Sequence, residues 1–154
     1  MKYRRELIFP EIAKPLNISD KKTIGINKSF LSNSIYPLYF NYFTKLGFDV
    51  VLSDSVDSRG TDKMRTSYCY PAEISHGLFY NLISKKPDYI FLPHITQMES
   101  KTDSRHNRLC VFVQGEQYFL KSAFADDKLP EILSPVIDFT KSEEEIKKVF
   151  ATVA

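Results

Sequence analysis

The chain has 154 residues, of which 43% are hydrophobic and 14% aromatic, enough to build one real core. Its 21 Lys and Arg are interspersed with 19 Asp and Glu, so the net charge is +2 and no stripe resembles a phosphate-backbone footprint. Nucleic acid is therefore excluded as a partner. No apolar run reaches the roughly 18 to 20 residues that span a bilayer, and Met1-Lys2-Tyr3-Arg4-Arg5 leads into no signal-peptide core, so no membrane association and a cytoplasmic location are expected. Two cysteines in such a chain point to free thiols or ligands rather than a structural disulfide.

Residues 1–22 carry Pro10, Pro15 and several lysines with weak periodicity and read as a lead-in arm, followed by a single α/β domain over 23–154 that is expected to be a module of a larger protein. Thr23 to Asn27 is a short β-branched run that predicts a first strand. Between Ser34 and Leu46, Ile35, Leu38, Tyr39, Tyr42, Phe43 and Leu46 recur at three- and four-residue steps, predicting a helix that Gly47 stops. Phe48 to Leu52 predicts a second strand. Ser53 to Thr66 is polar and long for a connection, which typically runs ~2–6 residues, and long loops at strand ends carry function. Within it, Asp54, Asp57 and Asp62 lack the calcium-loop pattern and read as turn-solvating acids.

Pro71 suits a first helical position, because its missing N–H would be unpaired there, and predicts a helix from Pro71 to Ser84. Asp88 to Leu92 predicts a third strand, residues 93–107 a polar loop holding His94 and His106, and Leu109 to Val113 a fourth strand containing Cys110. Gln114-Gly115-Glu116 leads into a helix ending near Phe124. Ile132 to Phe139 predicts a fifth, irregular strand, and Ser142-Glu143-Glu144-Glu145 is a capping box opening a last helix. This alternation defines an open three-layer, Rossmann-like α/β domain with a mainly parallel sheet of about five strands, in which ligands gather beyond the carboxyl ends of the strands.

Cys69 precedes the Pro71 helix, where the positive end of the helix favours a thiolate able to bind a metal or attack an electrophile. Cys69, Glu73 and His76 follow at four- and three-residue spacing, which puts them on neighbouring turns of one face. Two readings stand: a thiol–carboxylate–imidazole site, or a packed thiol beside a solvated first-turn acid and a locally bonded histidine. Cys110 reads either as a ligand or as strand filling, and His94 as a ligand at the mouth of strand three or an exposed loop residue. Gly25 stands without the further glycines of a dinucleotide or P-loop fingerprint, so no ATPase motif is present, although Lys28 and Ser29 could meet a phosphate at the first strand's end. The absence of a Gly-x-Ser-x-Gly elbow removes support for a serine hydrolase. No complete catalytic constellation is legible.

The ordered set Ile24-Gly25-Ile26, Tyr36-Pro37, Leu46 to Asp54, Cys69-Tyr70-Pro71-Ala72-Glu73 with His76-Gly77, Asp88 to Pro93, and Cys110 before Gln114-Gly115 resembles the domain of acyl-CoA dehydratase activase-related proteins, the CoA-substrate-specific enzyme activases. The resemblance spans about residues 2–139. It implies a fold related to 2-hydroxyacyl-CoA dehydratase subunit domains, and an iron–sulfur-associated electron-transfer or accessory role in anaerobic metabolism. By residue, it implies Cys69 and Cys110 as ligands of a [4Fe-4S] cluster. Such a cluster takes four ligands as a rule, so the set in this chain is incomplete and needs His94, a second copy of the chain, or a neighbouring activator ATPase or dehydratase-like domain. The alternatives are a scaffold or protein-interaction domain without metal, and a domain binding CoA or another small molecule.

Overall fold

The computed structural model describes residues 21–66, 68–100 and 107–154. The lead-in arm expected over 1–22 falls outside them except for its last two residues, as does His106. Strand β1 (Thr23–Ile26) is followed by helix α1 (Ser32–Lys45), strand β2 (Asp49–Leu52), the short helix α2 (Ser58–Thr61), helix α3 (Tyr70–Ser84) and strand β3 (Tyr89–Phe91). Strand β4 (His94–Gln97), the one-turn helix α4 (Val111–Gln114), helix α5 (Glu116–Ala123), strands β5 (Glu131–Leu133) and β6 (Val136–Asp138), and helix α6 (Glu143–Ala151) complete the order.

Four strands form a parallel sheet in the order β2-β1-β3-β5, with Ile24 opposite both Val50 and Tyr89. Residues of β1 point alternately to its two faces. Ile24 and Ile26 join Tyr39 and Phe43 of α1, Phe91 of β3 and Phe150 of α6 in one buried cluster. Ile90, Leu92 and Val51 face the other way, against Phe79 and Leu82 of α3 and Leu120 and Phe124 at α5. The result is a three-layer, Rossmann-like α/β architecture, with helices covering both faces of the sheet as a parallel sheet requires.

Three differences from the sequence reading have local causes. Leu109 to Val113 is not a strand: Val111 begins α4 and is exposed. A short apolar run has no periodicity with which to tell strand from helix. The loop expected over 93–107 instead opens with β4, which pairs in parallel with β6. Finally, the fifth strand breaks in two at Ser134-Pro135, as Pro93 separates β3 from β4, because a proline cannot donate to the ladder. The breaks lie side by side and are bridged by Leu92 N–H donating to Leu133 O and His94 N–H to Pro135 O, both at 2.9 Å.

Two glycine features place the loops. Gly47 has φ of 92° and ends α1 in the left-handed region. At the α2–α3 crossing, a Cβ on Gly60 would lie 2.4 Å from the carbonyl oxygen of His76, and one on Gly77 would lie 2.5 Å from Val56. Only bare backbone lets α2 sit this close, and its position carries residues 63–66 over the start of α3.

Candidate functional site

At the carboxyl end of β1 the chain changes character without leaving the interior. Asn27, Ser29, Ser53 and Ser75 are all buried, yet all are polar. Burying such groups is unfavourable unless they are hydrogen-bonded. Asn27 Nδ2 donates to Glu116 Oε1 at 3.0 Å and to Ser75 Oγ at 3.2 Å, while Ser53 Oγ donates to Asn27 Oδ1 at 3.3 Å. Ser75 Oγ donates to the same Glu116 oxygen at 2.6 Å, and Ser29 Oγ donates to it as well. Lys28 N–H closes the end of the network on Ser53 Oγ at 2.8 Å. One carboxylate oxygen thus ties the end of β1 to α3 and α5, and Asn27 links it on to Ser53 after β2.

Glu116 is the first residue of α5 and is reached from the protein surface through a cavity of about 240 Å³. Burial pushes its carboxyl up, against the three hydrogen bonds from Ser29, Ser75 and Asn27 that pull the other way. Behind it, the Tyr39 phenol is raised by its own burial and then by Glu116, and its hydroxyl has no hydrogen-bond partner. His76, also buried, lines the cavity and donates from Nδ1 to Ala72 O at 2.8 Å, since a carbonyl only accepts. Residues Lys63 to Thr66, brought in by α2, and the rings of Tyr68, Phe112 and Phe119 form much of the remaining wall. The loop expected to carry function does contribute to this cavity.

The two thiols stand nearby at corresponding positions. Cys69 is the N-cap of α3, with Pro71 in the first turn, and Cys110 is the N-cap of α4. The ring of Tyr68 lies 5.3 Å from that of Phe112, so the two cysteine segments touch at these flanking rings. Cys69 is half-buried and Cys110 exposed, and both are free. His94 begins β4, its ring edge-on to Tyr118 at 5.8 Å and its Nδ1 buried without a hydrogen-bond partner. Among the described residues no group of three or more His, Cys, Asp and Glu is arranged to hold a metal ion. The described part of the chain therefore presents two thiols without the further ligands that a cubane cluster takes.

Cys69, Glu73 and His76 do not form a group arranged to hold a metal ion, and His76 donates from Nδ1 to a backbone carbonyl of its own helix. Asp57 caps α2 by accepting from Arg59 N–H at 3.0 Å, and Asp54 pairs with Lys85 at 2.7 Å, so both serve structure. Glu116 and its partners Asn27 and Ser75 escaped the sequence reading. An acid directly after a glycine at a helix start has the ordinary look of a residue complementing the dipole.

A parallel sheet with helices on both faces and a polar crevice at the carboxyl end of its central strand defines a Rossmann-like α/β domain. The chain belongs to the family described as the CoA enzyme activase uncharacterised domain, whose model matches residues 23–154. No curated protein and no solved structure matches it. No helix among the described residues is long and apolar enough to cross a membrane.

Proposed function

We propose that this domain is an iron–sulfur-associated accessory or electron-transfer unit of an acyl-CoA dehydratase activase-related system, in which Cys69 and Cys110 supply two thiolate ligands. The remaining ligands come from an activator ATPase domain, a dehydratase-like domain or a second copy of the chain. The carrying observation is that each thiol caps a helix start and that the rings flanking the two, Tyr68 and Phe112, touch. Tyr68 is 62% exposed, Tyr70 73% and Val111 62%, a cluster of apolar side chains beside the thiols that suits a covering partner. When bound, an iron–sulfur cluster supplies one-electron chemistry; the residues of this chain hold one side of it and shield that side from water.

Anaerobic iron–sulfide reconstitution of the parent protein, with and without Cys69→Ser and Cys110→Ser, tests the proposal. Charge-transfer absorption and a low-temperature EPR signal after reduction are expected in the unaltered protein and lost in each variant. A wild-type protein that takes up no cluster in either isolated or parent form, or a double variant that keeps its iron, overturns it. A metal-free scaffold would show only a stability change in the same variants.

A further inference from the structure

The polar groups around the cavity are largely spent on one another. Glu116 Oε1 accepts from Asn27, Ser29 and Ser75, and Asn27 in turn accepts from Ser53. Buried His76 donates from Nδ1 to Ala72 O, and Lys63 is paired with Asp127 at 2.5 Å while lying over the Phe124 ring. Arg65 and Thr66, which also line the space, are exposed, and water and salt screen a charge in that position. The hydrogen bonds and the ion pair close on the protein itself, and the choice of ligand falls to the apolar part of the wall.

That part is aromatic. Phe30, Tyr68, Phe112 and Phe119 line the cavity together with Met64 and Leu120. The rings of Tyr68, Phe112 and Phe119 follow in series, 5.3 Å from one to the next and tilted by 40° and 36°. These rings are not absorbed by the core: Tyr68 is 62% exposed and Phe119 36%. Phe30 has φ of 38°, in the left-handed region that a bulky side chain rarely enters. Backbone strain of this kind gathers at ligand sites, where the surrounding structure holds it in place. Open aromatic surface around a concave space, over a floor of satisfied polar groups, is the composition of a small-molecule site.

We propose that this cavity binds a small uncharged aromatic molecule, of one ring or two fused rings, packed against the rings of Phe112 and Phe119. The volume of about 240 Å³ is below the ~300–1,000 Å³ of sites for drug-sized ligands, so a whole nucleotide or coenzyme does not fit. Rings attract one another in tilted and edge-on arrangements beyond the area they bury, which favours an aromatic body over a saturated one of the same shape. A charged ligand would lose hydration on entry, while Glu116 is already met by three donors and Lys63 by Asp127. The site rests on no bound cluster and does not depend on the thiols.

Phenethyl alcohol is the probe, titrated into the full chain and followed by amide chemical shifts, with cyclohexylethanol as its saturated counterpart and phenylacetate and phenethylamine as its ionic ones. Saturable binding that shifts Ser75, Phe112 and Phe119 is expected, with cyclohexylethanol weaker by about threefold or more and both ions weaker than the alcohol. Phe112→Leu and Phe119→Leu, which keep an apolar side chain and remove a ring, should each weaken the alcohol by a similar factor. NOEs between the ligand's ring protons and the Phe112 and Phe119 rings of the unaltered protein locate the site whatever the variants do to folding. No saturation up to about 10 mM, NOEs to neither ring, equal binding of the saturated counterpart, or undiminished binding in both variants overturns the proposal. Tighter binding of either ion overturns the uncharged class of ligand.

Discussion

Strand β1 runs from the driest part of the molecule into its most polar interior, and the two ends are equally buried. Ile24 and Ile26 lie against the rings of Tyr39, Phe43 and Phe91, while the next residue, Asn27, is 1% exposed and surrounded by hydroxyls and a carboxylate. The apolar end gains free energy for every methylene removed from water. The polar end recovers by hydrogen bonding roughly what its desolvation costs, and contributes little net stability. A chain under pressure only to fold would have continued the first pattern. The contrast marks the carboxyl edge of the sheet as the place where stability gives way to function.

The largest effect should come from the dry end. Phe91 packs edge-on against Tyr39 at 4.9 Å and Phe43 at 5.0 Å, so Phe91→Ala should cost about 3–5 kcal/mol. Urea unfolding reads this as a lower midpoint at unchanged slope. A loss below about 1.5 kcal/mol would mean that the aromatic cluster is not where stability is concentrated, and the comparison would break.

At the polar end, Glu116→Ala removes the shared acceptor of three donors and should cost on the order of 2–3 kcal/mol, eased by water entering from the cavity. Glu116→Gln keeps an acceptor and separates charge from structure. Because the folded-state pKa of Glu116 is raised above its unfolded value, its neutral form contributes fully below the unfolded pKa. That contribution declines as pH climbs toward the folded-state value. Relative to the wild type, the Gln variant should therefore gain stability from pH ~4.3 upward. Parallel urea midpoints for the two proteins across that range would remove the ionisation penalty from the account.

Most of the framework was legible because local chemistry and tertiary need agreed. The β-branched run at Thr23, the helical spacing of Tyr39 and Phe43, Gly47 and Pro71 each announce the element that forms. Legibility failed where the determining partner is distant. Nothing in Leu109 to Val113 says that the pairing edge of β6 is taken by His94 to Gln97. The site failed for the same reason: Glu116 is bonded to Asn27 and Ser29, 89 and 87 residues away in sequence. Of the site residues only Cys69 carries a local signature, the helix start at Pro71, which the structure retains, while Cys110, read within a strand, caps a one-turn helix instead.

The smallest expected effect lies far from the cavity and has the opposite pH dependence. Ser142 caps α6 with a full capping box, its Oγ donating to Glu145 Oε2 at 2.7 Å and accepting from Glu145 N–H at 3.4 Å. Ser142→Ala should cost about 1 kcal/mol near neutral pH. The loss is felt by the dry core, because Phe150 on the same helix packs into it and Tyr42 donates to the Phe150 carbonyl at 2.5 Å. Hydrogen bonds from Ser142 hold Glu145 below its usual range, so the contribution of the box is present above the unfolded pKa and fades as pH falls through the folded one. The wild type and Ser142→Ala should accordingly converge in acid, whereas the wild type and Glu116→Gln diverge as pH rises from ~4.3. Two carboxylates on one small domain then report opposite environments: one outside, stabilised as an anion by its cap, the other inside, pushed toward its neutral form by burial.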